Sequence, residues 1–173
     1  MTTMTARTRR LTPTAYKLLL VLHIVVSVGW LGVNVGNLTL AITGVTTDDP
    51  GTQHAALSAM YLVGGTLLIP VSLLALVTGV LLGVYTKWGL VKYRWVLVKL
   101  TLTVIAVVLT PLSLLPGLRD LSALMADTPA DRLADIGGLA PDILVAGCVS
   151  TTMYLTNAIL SVLKPWGRTR KIA

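Results

Sequence analysis

Four long uncharged stretches dominate the chain: Leu18 to Thr47, Pro50 to Thr86, Leu100 to Leu118 and Ile143 to Leu163. A helix rises about 1.5 Å per residue, so each stretch is long enough to cross a hydrocarbon core of roughly 30 Å. Only helices or closed barrels satisfy the backbone in lipid, and these runs are too long and too uniformly apolar for barrel strands. The pattern therefore predicts an all-α fold: an integral membrane four-helix bundle, a single membrane domain over residues 1–173, with spans at about 18–42, 60–85, 95–115 and 143–163. The connection from Gly117 to Pro141 is long for a simple loop. Within it Thr128, Pro129 and Asp131, followed by Leu133 and Ile136, resemble the start of a short surface helix, but the favoured reading is an Asp-rich solvated loop.

Composition points the same way. With 54% hydrophobic and 12% charged residues and a mean hydropathy of +0.81, the chain has too little polar surface to clothe a soluble globule. Its formal net charge of +7 would suit nucleic acid, but the basic residues flank apolar runs, where they meet anionic lipid head groups. The reading is thus a lipid-bilayer partner and no nucleic acid. Cys148 is the sole cysteine, which rules out an intrachain disulfide or a Cys-based metal cluster in one copy. Arg7, Arg9 and Arg10 ahead of an apolar run resemble a signal peptide. Leu18 to Ile42 is 25 residues long without a small-residue cleavage site, so it is read as a retained anchor.

Charge sets the expected orientation. Twelve of the basic residues fall in the N-terminal tail, between Lys87 and Lys99, and from Lys164 onward; all seven acids, every one an Asp, fall in the other two loops. The positive-inside rule then puts both termini in the cytoplasm (N-in/C-in) of a multi-pass protein, and the resemblance given below implies a bacterial inner membrane. Trp88, Tyr93, Trp95 and Trp166 beside the basic groups fit an interfacial aromatic belt.

Polar residues inside a bilayer are costly to bury unpaired, and few are present. In the first span His23, Ser27, Trp30, Asn34 and Asn37 or Leu38 recur every three or four residues, on one inward face. Gly29, Gly32 and Gly36 lie on neighbouring positions, where the Gly32–Gly36 spacing would let a second helix approach. Ser150, Met153 or Tyr154, Asn157 and Ser161 make a polar face on the fourth span. His23, Lys99 and Asn157 fall at similar depth and are read as lining one pocket, against the alternatives that Lys99 snorkels to the interface and Asn157 only joins helices. His23, as the one histidine within a span, is a candidate haem or metal ligand; hydrogen bonding within the bundle is the alternative. No Ser-His-Asp set, buried carboxylate pair or phosphate-cradling loop supports hydrolytic or nucleotide-driven chemistry.

Leu22-His23 with Gly29-Trp30-Leu31-Gly32, and the ending Lys164-Pro165-Trp166-Gly167-Arg168-Thr169, resemble an uncharacterised family of bacterial predicted integral membrane proteins. Thr78-Gly79, Trp88-Gly89 and Trp95 to Lys99 spread the likeness over nearly the whole chain. More distantly, the His before Trp and Gly and the Trp95–Lys99 spacing are similar to the copper-resistance D proteins and the haem-containing bacterial protoporphyrinogen oxidases. That resemblance implies a haem-ligand role for His23 and a polar partner role for Lys99. A second intramembrane His and Met-rich pairs are absent.

Three functions follow as expectations. The first is a redox protein holding haem b or a quinone-like molecule near His23, Trp30, Lys99, Met153 and Asn157. The second is a carrier of a small solute or ion, and the third a non-catalytic accessory or assembly subunit, in a homo-oligomer or with other membrane subunits.

Overall fold

The computed structural model describes residues 11–86, 88–167 and 169. Arg7, Arg9, Arg10, Lys87, Arg168, Arg170 and Lys171 lie outside them. Among the described residues the chain is all-helical, with no β-strand. Four helical segments are long and apolar enough to cross a membrane: α1 (Pro13–Thr46), α2 (Pro50–Tyr85), a composite span (Arg94–Asp127) and α5 (Leu139–Leu163). The composite span consists of α3 (Arg94–Leu109), a π-helical turn (Thr110–Leu114) and α4 (Leu115–Asp127).

Local chemistry explains the boundaries. Thr12 caps α1 by accepting from the Ala15 N–H at 3.2 Å, and Pro13 follows at the first helical position, where its missing N–H costs nothing. The same device opens α2, where Asp49 accepts from the Thr52 N–H at 2.8 Å ahead of Pro50. Only residues 47–49 separate α1 from α2, so the two pack antiparallel. Pro111 sits in the π turn, where it withholds an N–H from the helical ladder. Lys164 ends α5 in the left-handed region at φ 47°, and Pro165 cannot continue the helix.

The third span is longer than the apolar run implied. Beyond the π turn, Leu115, Leu118, Leu121 and Met125 lie buried at helical spacing, and α4 packs its apolar stripe on α2. The Thr128–Pro129–Asp131 signal is a helix end. Thr128 closes α4 through its N–H to the Leu124 carbonyl (3.1 Å), and a single turn follows, with the Arg132 N–H on the Pro129 carbonyl. In this segment the Gln53 side chain clamps Ala134 with two bonds: Ala134 N–H to Oε1 at 2.7 Å and Nε2 to the Ala134 carbonyl at 3.3 Å.

The exterior is apolar rather than polar. Val162 is 78% and Leu112 72% exposed, an arrangement that water penalises and lipid does not. The interior is built around α2, which touches α1, α3 and α4.

Candidate functional site

The α1–α2 pair sets the geometry. Three close approaches mark its antiparallel register: Gly44 against Leu57, Gly64 against Asn37, and Gly79 against His23. A Cβ at Gly64 would stand 2.6 Å from Asn37 Nδ2 and 2.7 Å from Leu118 Cδ1. A Cβ at Gly147 of α5 would meet Leu38 Cδ1 at 2.8 Å. Gly29, Gly32 and Gly36, by contrast, have nothing within 4 Å of an added Cβ. The close approach expected at the Gly32–Gly36 spacing occurs instead on the partner helices, because the bulky polar stripe and not the glycine row turns toward the bundle.

His23 reaches α2 rather than the third or fourth span. Its Nδ1 lies 2.8 Å from Thr78 Oγ1. The Thr78 hydroxyl also lies 2.6 Å from the Leu74 carbonyl and 3.2 Å from the Ala75 carbonyl, and with its one proton on either it accepts from the imidazole. In that arrangement His23 carries its proton on Nδ1 and keeps the lone pair on Nε2. The ring lies over Gly79, where an added Cβ would be 3.1 Å from Cε1. Lys99 stands within electrostatic reach of the ring, but its ammonium donates to Ser161 Oγ on α5.

The remaining stripe residues each find a different helix. Trp30 stacks on Tyr154 of α5, ring centroids 4.4 Å apart. Asn34 donates through Nδ2 to Thr151 Oγ1 (2.7 Å) and to the Gly147 carbonyl (3.3 Å). Asn157 donates to Thr103 Oγ1 on α3 at 3.2 Å. Met153 is half-buried against the hydrophobic core. His23, Trp30, Lys99 and Asn157 thus make separate contacts, each with its own partner.

Among the described residues, the buried side-chain atoms Trp30 Nε1, Asn37 Oδ1 and Asn157 Oδ1 lack a protein partner. A cavity of about 10 Å³ lined by Asn34, Asn37, Leu68 and Leu114 lies between α1, α2, the π turn and α5. That is the lower edge of what one water occupies, roughly 10–15 Å³, and Asn37 Oδ1 is an acceptor such a water would satisfy. Among the described residues no group of three or more His, Cys, Asp and Glu side chains could hold a metal ion.

Sequence reading did not assign partners to Thr78, Thr103 and Thr151, or find the Gln53 clamp. The first had a signal in Gly64, Leu68, Ser72, Ala75, Thr78 and Gly83, mostly small residues at intervals of three to five along α2 and all buried. Comparison with protein-family models, with curated proteins and with solved structures finds no match.

Proposed function

We propose that this chain is a non-catalytic assembly subunit of a bacterial inner membrane, spanning it four times with its basic end in the cytoplasm. One observation carries the reading: the intramembrane side chains with the most chemical potential, His23, Asn34, Lys99 and Asn157, each bridge to another helix. Such bonds join helices in a medium that gives little hydrophobic drive between them. Support for assembly comes from the α1 face of Gly29, Gly32 and Gly36, where an added Cβ would have none of the described residues within 4 Å, leaving room for a helix from a second copy or another subunit. The distribution of Asp and basic residues supports the orientation, and the likeness to bacterial integral membrane proteins supports the compartment.

Haem b was weighed against the same geometry. The Nδ1–H tautomer leaves His23 Nε2 in the form that ligates iron, but Gly79 closes the inner side of the ring and the chain has no second intramembrane His. These residues do not fit a porphyrin inside the bundle of one copy. A solute pathway fares no better, since the Asn34–Asn37 cavity holds about one water.

The test uses two readouts on the full chain. In a Cys148→Ser background, Gly32→Cys cross-links to a second copy or another subunit in native membranes, whereas Val162→Cys on the lipid face does not. The purified protein is colourless. Equal cross-linking at both positions, or a Soret band that His23→Ala removes, overturns the proposal.

A further inference from the structure

The basic end of the bundle holds a feature that helix packing does not use. The rings of Trp88 and Trp95 meet edge to face at 5.3 Å, and Trp88 meets Tyr93 in the same way at 5.3 Å. A lysine stands over each ring of this cluster. Lys164 Nζ is 5.2 Å from the Trp88 centroid, Lys99 Nζ 5.9 Å from Trp95, and Lys92 Nζ 6.0 Å from Tyr93. The C-terminal segment is tied back over the α2–α3 connection: Gly167 accepts from the Arg94 N–H at 3.4 Å, and Thr169 donates its N–H to the Lys92 carbonyl at 3.0 Å. Thr169 Oγ1 adds a bond to the Val91 carbonyl at 2.6 Å. This pinning holds the C-terminal segment, and with it Lys164, at the same end as the aromatic cluster.

Among the described residues no acidic side chain lies at this end of the bundle. The seven Asp residues, at 48, 49, 120, 127, 131, 135 and 142, all belong to the opposite end, and there is no Glu. Cation–π contacts attract each ammonium without cancelling its charge. Lys99 is also half-buried, one turn inside α3, with Ser161 as its hydrogen-bond partner. α3 begins at the same place without a side-chain cap at Tyr93, so the positive end of its dipole adds to the field. Three cations, a helix N-terminus and an aromatic cluster thus come together at the edge of the apolar belt. A multiply oxygenated anion fits this arrangement: phosphate oxygens accept from the ammonium groups while an attached apolar chain runs down the lipid-facing side.

We propose that Lys92, Lys99 and Lys164, held by Trp88, Tyr93 and Trp95, form a binding site for a phosphate-bearing anion, supplied by the head group of an anionic phospholipid. The site distinguishes itself from the diffuse basic surface by its position. Lys17 is at the same end, on exposed α1, and has no part in it.

The experiment is native mass spectrometry of the full chain released from detergent containing phosphatidylglycerol and phosphatidylcholine in equal amount. The wild type retains phosphatidylglycerol preferentially. One lysine near an anionic surface is worth about 1 kcal/mol, so Lys99→Met and Lys164→Met each lower retention by about fivefold, Lys99→Arg restores it, and Lys17→Met leaves it unchanged. Circular dichroism of each variant separates lost binding from lost fold, and a Lys164→Met protein that folds decides the matter if Lys99→Met does not. Adding inorganic phosphate in solution distinguishes the sources: no displacement of lipid supports the head group, and displacement at low phosphate assigns the site to a free anion and overturns the lipid assignment. Equal losses in Lys17→Met and Lys164→Met, or equal retention of the two lipids, overturn the site itself.

Discussion

The two faces of α1 carry residues of the same spacing and meet opposite fates. On one, Trp30, Asn34, Asn37, Ala41 and Gly44 are buried at intervals of three and four. On the other, Gly29, Gly32 and Gly36 stand clear of the other described residues. Lipid is as apolar as leucine, so apolar residues give α1 no preference for either side; the polar groups do, because each gains a hydrogen bond only when it faces another helix. Small residues then become necessary on the opposing helices, at Gly64 and Gly147, where the polar stripe has to be accommodated. The glycines of α1 itself are left for contacts outside the chain.

Substitutions that exchange the two environments separate them sharply. Gly64→Leu places four carbons where Asn37 and Leu118 already stand, so it costs about 3 kcal/mol or more, seen as a large fall in melting temperature in detergent. Asn34→Leu removes the bridge to Thr151 and Gly147 while leaving the Thr151 hydroxyl on the Gly147 carbonyl at 2.7 Å. Its expected loss is about 1 kcal/mol in the same assay. Gly32→Leu, on the open face, changes monomer stability by less than about 0.5 kcal/mol; a loss as large as that at Gly64 would mean that this face is packed in the folded chain.

How much of this was legible follows from which signals depend on lipid. Helix number and class came from the uncharged runs, since any such run must satisfy its backbone internally. The inward stripe from His23 to Asn37 was readable from its period. The partners were not: Thr78, Thr103 and Thr151 each also bond the carbonyl of their own helix or sit among apolar neighbours, so nothing in sequence marks them as cross-helix acceptors. The extension of the third span to Asp127 was hidden by Arg119 and Asp120, which read as loop residues but lie exposed on α4. The reversed reading at Thr128 has a related cause, because Thr followed by Pro suits the end of one helix as well as the start of another.

The smallest effect is expected outside the spans. The Asp49 carboxyl is held below its usual range by hydrogen bonds from the Thr52 side chain and N–H. A lowered folded-state value means that its contribution is present above the unfolded carboxylate range and is lost as pH falls through the folded value. Melting curves of the wild type and Asp49→Asn should therefore run parallel at neutral pH and converge in acid; profiles that stay parallel throughout would remove Asp49 from the pH response.

The central claim, that the intramembrane polar residues act as helix cross-links, is tested most directly by a double-mutant cycle between His23 and Thr78 in detergent. His23→Ala, Thr78→Val and the double variant are compared with the wild type for reversible unfolding. A bond of 2.8 Å between them predicts a coupling of about 0.6–1.7 kcal/mol, the range found between membrane helices. Additive losses, with no coupling, would contradict the account and return His23 to the search for a ligand.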